Sequence, residues 1–260
     1  MKLTVLGSGT TITSPGTDFR YSAAYLIETE NEKILFDAST GVLPQLAKIG
    51  VNLLDIDAIC ISHYHADHFV VEPILQAFFV PGINGEPDLK LRILGPSDIE
   101  ERVRTSYKTK GWTFDTDLLK YADVAFTPYE AGKSIRIGQS NLIPHKTTHL
   151  ELEAYALRLE EDGKTIAYSG DTGVDPAIGA AAKEADLFLC EANVRVGKPG
   201  SDVHIGAGDA GRIAKEQNVK QLVLTHYTGL DSTGEMVDEA RSAGFSGKAA
   251  VAKDLDSFLL

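Results

Sequence analysis

Four donor-type side chains fall within six positions, His63, His65, Asp67 and His68, in the run Ile59-Cys60-Ile61-Ser62-His63-Tyr64-His65-Ala66-Asp67-His68. Three of the chain's seven histidines lie in this window, directly after an apolar stretch that reads as a buried strand. On an extended backbone His63 and His65, two apart, share one face. Asp67 and His68 follow where a turn can aim them at a neighbouring position. Imidazoles beside a hard carboxylate suit zinc, manganese or iron. A merely solvated loop would not gather so many ligand types at the end of an apolar strand.

Further donors stand at the ends of other apolar runs. Thr165–Ser169 leads into Gly170-Asp171-Thr172-Gly173, and Leu222–Thr225 leads into His226-Tyr227. His149 precedes a β-like run at Glu153–Leu159, with His145 four residues earlier. Taken singly, Asp171 reads as a turn residue and His226 equally well as a core histidine. Together they match α/β sites, whose ligands collect at strand termini.

The elements that must hold these groups are short. Strands are predicted at Leu3–Leu6, Ala24–Glu28, Lys33–Asp37 and Ala58–Ile61, with Glu30-Asn31 as a hairpin turn. Others follow at Val124–Tyr129, Ile135–Ile137, Ala154–Leu159, Thr165–Ser169, Leu187–Cys190 and Leu222–Thr225. Helices are predicted at Leu43–Ile49, closed by Gly50, near Asp175–Glu184 with Pro176 at its first position, and at Ala207–Gln217. Phe69–Val80 is apolar almost all round and reads as a buried helix or a homodimer surface. Ser97-Asp98-Ile99-Glu100 has the capping-box pattern for a helix toward Tyr107. Strands and helices mixed in both halves predict an α/β (α+β) protein of two packed sheets with helices outside.

Composition narrows the function. The 260 residues carry 25 Lys+Arg against 37 Asp+Glu, a net charge of -12, which disfavours a large nucleic-acid partner but not a small anionic substrate. With 43% hydrophobic residues and no linker or repeat, one domain over residues 1–260 is expected. Cys60 and Cys190 both lie in apolar runs, so neither a disulfide scaffold nor a cysteine zinc site is expected. The start MKLTVLGSG does not read as a signal peptide and no apolar run is long enough for a membrane helix, so a cytoplasmic protein is expected.

The order and spacing of His63-x-His65-x-Asp67-His68, His149, Asp171 and His226 resemble the metallo-β-lactamase superfamily, within it the branch of ribonuclease Z and the phosphoribosyl cyclic phosphodiesterases. Leu6-Gly7-Ser8-Gly9-Thr10, the strand-end Asp37, AYSGDTG and the stretch from His204 through GRIAKEQNVKQLVLTHY add to the likeness. The resemblance implies a four-layer αββα sandwich with a dinuclear centre on one edge. His63, His65 and His149 would hold one divalent ion, with His145 the rival of His149. Asp67, His68 and His226 would hold the second, Asp171 would bridge, and Asp37 would orient a ligand imidazole. Zinc is the expected metal, with manganese or iron as alternatives. Two ions about 3.5–4 Å apart yield a bridging hydroxide at neutral pH, which implies a hydrolase, foremost a phosphodiesterase on a cyclic phosphate or nucleotide. His204, with Asp202 to tune it, would be the acid for the leaving group, and Asp67 would join in catalysis as well as ligation.

Rival readings are an ester, thioester or lactam hydrolase on the same ions, tRNA 3′ processing, a mononuclear iron oxygenase, and a non-catalytic metal-binding member. Ribonuclease Z has a glycine-rich signature where this chain has Phe69-Val70-Val71-Glu72-Pro73-Ile74, and no arm-like insertion is visible, which speaks against tRNA processing. The diiron oxidoreductases of the superfamily place a glutamate where Ala66 stands. Arg102, Arg104, Lys108 and Lys110, followed by Trp112, form a basic cluster read as a solvated helix face.

Overall fold

A computed structural model describes residues 1–11, 18–85, 89–109, 111 and 121–260. Its first half runs β1 (Lys2–Gly7), β2 (Ala24–Glu28), β3 (Lys33–Phe36), α1 (Val42–Ile49), β4 (Ala58–Cys60), α2 (Glu72–Ile83), β5 (Lys90–Gly95), α3 (Ile99–Thr109) and β6 (Asp123–Pro128). The second half runs β7 (Ile135–Ile137), β8 (Ser140–His149), β9 (Leu152–Glu161), β10 (Lys164–Tyr168), α4 (Pro176–Ala182), β11 (Leu187–Glu191), α5 (Ala207–Glu216), β12 (Gln221–Thr225), α6 (Thr233–Ser242), β13 (Lys248–Val251) and β14 (Ser257–Leu259).

Two seven-stranded mixed sheets result, ordered β14-β1-β2-β3-β4-β5-β6 and β13-β12-β11-β10-β9-β8-β7. Each has antiparallel pairs on one side and parallel pairs on the other, the parallel run being β3 to β6 in the first sheet and β10 to β13 in the second. Alternate side chains go to two different cores. Tyr25, Ile27, Ile34 and Phe36 face Leu157, Leu159, Ile166 and Leu189 between the sheets. Leu26, Leu35, Ile59 and Ile93 turn outward to Leu46, Phe78 and Val103 of α1, α2 and α3. Phe188, Leu222 and Leu224 meet Ile178, Ile213 and Met236 of α4, α5 and α6. Strands buried on both faces carry continuous apolar runs, because neither face meets water. These are the helix, sheet, sheet and helix layers of an αββα sandwich.

Local signals explain most boundaries. Gly50 takes the left-handed conformation (φ 72°) that ends α1. Asp175 accepts the Ala177 amide, with Pro176 in the first turn of α4. The helix expected over Phe69–Val80 starts at Glu72 instead, since Phe69 forms a backbone bridge to Ala38 beside the site. Its Ile74, Leu75, Phe78 and Phe79 are buried against the first sheet. The capping box expected at Ser97 does not form: the Ser97 amide and hydroxyl both donate to Glu153, and α3 begins at Ile99. Arg102 and Arg104 pair with Asp98 and Glu100 one turn earlier; Lys110 and Trp112 lie outside the described residues. Cys60 and Cys190 are fully buried, and burial pushes both thiols up. Among the described residues no helix is long and apolar enough to cross a membrane.

The parallel strands point their carboxyl ends at one edge. Asp37 follows β3, Ser62 to His68 follow β4, Asp171 follows β10, Glu191 ends β11 and His226 follows β12. Asp37 (φ 54°) and His226 (φ 59°) are both left-handed, a conformation that costs a non-glycine residue roughly 1–2 kcal/mol. Both lie at this edge, on either side of the His68 ring, where backbone strain is a mark of a site.

Candidate metal centre

Three imidazoles surround one point. The ring centroids of His63, His65 and His149 are 4.8–4.9 Å apart, and Nε2 of His149 lies 3.1 Å from Nδ1 of His65. His63, His65, His149 and Asp171 each offer a ligand atom within 4.8 Å of the others. A second group, Asp67, His68 and His226, meets the same criterion. Asp171 lies between the two: its carboxylate oxygens are 3.2 Å from His68 Nε2 and 3.2 Å from His226 Nε2. Asp67 Oδ2 is 3.2 Å from His226 Nε2 and accepts the Thr11 amide at 3.1 Å. His145, the alternative to His149, lies outside these groups beside Arg158.

The donors fit divalent ions. His149 Nδ1 donates to the Val203 carbonyl at 2.8 Å, which leaves Nε2 with its lone pair toward the cluster. His68 Nδ1 donates to Asp37 Oδ2 at 2.8 Å, with the same consequence. His63 Nε2 is buried without a hydrogen-bond partner, a lone pair with nothing to accept. The Asn193 amide nitrogen lies 2.8 Å from Nδ1 of His226; an amide turned so that its oxygen faced the ring would instead accept from Nδ1 and free that Nε2 as well.

Electrostatics point the same way. Burial lowers the pKa of His63, and also of His65 and His149, so these rings are neutral and able to ligate. Burial would raise the Asp67 carboxyl, but the His226 bond and the His68 charge hold it well below its ordinary value. Burial likewise opposes ionisation of Asp171, and His226 and His68 more than reverse it. Burial also opposes charge on His68, yet Asp171 and Asp37 push its pKa well up. Carboxylates held as anions beside these rings make a place that suits a metal cation.

His204 stands on the rim of the cluster, its ring stacked 5.6 Å from that of His226. Its partner is not Asp202, as expected, but Glu191, whose Oε2 lies 2.9 Å from His204 Nδ1 and which is 1% exposed. Asp202 serves through its backbone, which packs so closely on Gly173 that a Cβ there would come within 2.5 Å. Burial works against charge on His204, but the Glu191 bond outweighs it and the pKa is raised. Burial also raises Glu191. Glu191 was missed because LFLCEA reads as an apolar strand; its position at the end of that strand, level with Asp171 and His226, is the signal that could have found it. A cleft of about 460 Å³ opens over these groups, lined by Thr10, Thr11, His65, Asp67, Asp171, Asn193, His204, His226, Thr228 and Leu230 among others.

The family model described as the beta-lactamase superfamily domain matches residues 32–227. This chain belongs to the beta-lactamase superfamily. The probable metallo-hydrolase YhfI of Bacillus subtilis is 28% identical over 260 residues, covering 97% of each protein. Its crystal structure matches with a TM-score of 0.83 at 25% identity, over 99% of this chain and 98% of that one. Ribonuclease Z of Methanosarcina mazei is 24% identical over 288 residues, 93% of this chain and 92% of that protein. A diphosphatase of the PhnP family shares the fold, with a TM-score of 0.75 at 22% identity over 100% of this chain and 97% of that one. The chain is thus a metallo-hydrolase of the β-lactamase fold, related to ribonuclease Z, with a His/Asp cluster suited to divalent metal.

Proposed function

We propose that the protein is a dinuclear metal-dependent phosphodiesterase that acts on a small anionic phosphodiester, a cyclic phosphate or nucleotide. His63, His65 and His149 would hold one ion, Asp67, His68 and His226 the other, and Asp171 would serve both; zinc is the expected metal, with manganese or iron as alternatives. Two such ions supply Lewis acidity toward a phosphoryl oxygen and a water acidic enough to attack at neutral pH. The chain's own residues supply the rest. Asp67, fixed by the Thr11 amide, is held as a carboxylate facing the cleft, where it can accept a hydrogen bond from the attacking water and orient it. Thr10, Thr11, Thr228 and Asn193 offer neutral hydrogen-bonding groups to the rest of the substrate. His204 donates a proton to the leaving oxygen, and Glu191 beneath it keeps the ring oriented and charged.

The observation that carries the phosphodiester reading is the buried Glu191 locked to His204 at 2.9 Å on the rim of the donor cluster. An alkoxide leaving from phosphorus is a poor leaving group and needs an acid; a raised imidazole pKa provides one at neutral pH. The kinship with ribonuclease Z supports phosphorus over carbon as the centre attacked, while the net charge of -12 favours a small substrate over tRNA. The test loads the protein with zinc or manganese and compares bis(p-nitrophenyl) phosphate, a nitrophenyl ester and a tRNA precursor. Hydrolysis of the phosphodiester is expected. Activity on the ester alone contradicts the phosphodiesterase reading, and cleavage of the tRNA precursor alone contradicts the small substrate.

A further inference from the structure

Beneath the donor cluster lies a buried knot that touches both halves of it. Asp37, fully buried, accepts four hydrogen bonds: the Ser62 amide at 2.6 Å, the Ser62 hydroxyl at 2.8 Å, the Tyr168 hydroxyl at 2.7 Å and His68 Nδ1 at 2.8 Å. Ser62 Oγ also lies 3.0 Å from His63 Nδ1. A hydroxyl has one proton. Because the charged acceptor Asp37 takes it, Ser62 can meet His63 only with a lone pair, and His63 must then carry its own proton on Nδ1. Its bare nitrogen is therefore Nε2, the buried atom without a partner. The same carboxylate makes the same choice directly for His68. One anion thus sets the tautomer of one imidazole from each donor group, through a hydroxyl in one case and by contact in the other.

Tyr168 ties this knot to the opposite sheet. Its ring, 1% exposed, packs 5.1 Å from Tyr25 and 6.1 Å from Phe36, centroid to centroid. Its hydroxyl ends on the Asp37 oxygen that His68 and the Ser62 hydroxyl share. Among the described residues Tyr168 meets His68 at 3.4 Å and Asp37 at 2.7 Å, so what it does for the donors passes mainly through Asp37.

We propose that Ser62 and Tyr168 are positioning residues which, through Asp37, couple the two ion positions, so that the chain prepares both donor groups with one buried anion. The proposal rests on the two-ion reading given above. Hydrogen-bond partners behind metal ligands commonly change affinity about 10- to 100-fold, which sets the scale of the effect.

The test is a cobalt(II) titration of the full chain, read by metal affinity and by the visible absorption of each bound ion, on the wild type, Ser62→Ala and Tyr168→Phe. Ser62→Ala removes a donor from Asp37 as well as the contact to His63, so it is expected to weaken the ion at His63 about 10- to 100-fold, the other ion less, and to alter chiefly the spectrum of the first. Tyr168→Phe keeps the ring and the packing, and is expected to weaken both ions by a similar factor, since Asp37 serves both. Wild-type affinity for both ions in both variants overturns the coupling, and so does a Tyr168→Phe variant that weakens one ion alone. A wild type that takes up a single ion contradicts the two-ion reading itself and the coupling with it. Two tight ions with insensitive variants sink the coupling alone.

Discussion

The first sheet delivers its donors in a single loop: His63, His65, Asp67 and His68 all follow β4 within six residues. The second sheet delivers one side chain per strand end, with Asp171 after β10, Glu191 closing β11 and His226 after β12. The loop is a local solution, in which chain spacing alone brings ligands close. The strand ends are a tertiary solution, in which about 4.8 Å between neighbouring strands sets the spacing and parallel order brings distant residues level. The loop contributes to both donor groups but closes neither. Asp171, His226 and His149 at the end of β8 complete them.

If the strand ends close the site, substitutions there should cost as much as substitutions in the loop. Asp171 is the sharpest case, since it contacts His68 and His226 of one group and offers a ligand atom within 4.8 Å of those of the other. Asp171→Asn is expected to abolish phosphodiester hydrolysis and to lower bound metal below one ion per chain, measured by elemental analysis. Full metal content would show that the loop suffices. Next in size is His204→Ala, which should lower kcat on a phosphodiester with an alkoxide leaving group about 100- to 10,000-fold at unchanged metal content. Unchanged turnover would remove His204 from the chemistry.

Glu191→Gln separates charge from position. His204 must be protonated to act as an acid, and the carboxylate of Glu191 is what raises its pKa against the effect of burial. Removing that charge lowers the pKa, so the alkaline limb of the rate profile should move to lower pH. A limb that stays in place would show that Glu191 only packs. The smallest effect is expected at the other ends of the same strands. Lys220, 70% exposed, pairs with Asp186 just before β11, and Lys220→Ala should cost about 0.5 kcal/mol or less in a denaturant melt and leave metal binding intact. A loss of metal would mean that the site depends on distant strand ends as well.

The same contrast governs what the sequence could show. The His63–His68 loop is legible because its residues are adjacent in the chain. Asp171 and His226 are legible because an apolar run stops beside each. Glu191 belongs to an unbroken apolar run and becomes a functional candidate only when β10, β11 and β12 lie parallel. β8 escaped because it buries Ser140, Thr147 and His149 beside Leu142, and it contains Pro144, so it has neither the alternation nor the composition of a strand. β5, β13, β14 and α6 are likewise absent from the sequence reading. Ser232 and Glu235 do form a capping box at α6, whereas the same pattern at Ser97 and Glu100 does not. The difference is tertiary: Glu153 on β9 takes the Ser97 amide and hydroxyl. His204 was found but its partner was not, because Asp202 is near in sequence and Glu191 is near in space.

The most direct test of a dinuclear centre closed by strand-end donors is a crystal structure of the zinc-loaded protein with anomalous data at the zinc edge. Two ions are predicted, one among His63, His65 and His149, the other among Asp67, His68 and His226, with Asp171 in contact with both. A single ion, or an Asp171 that touches neither, would contradict the account.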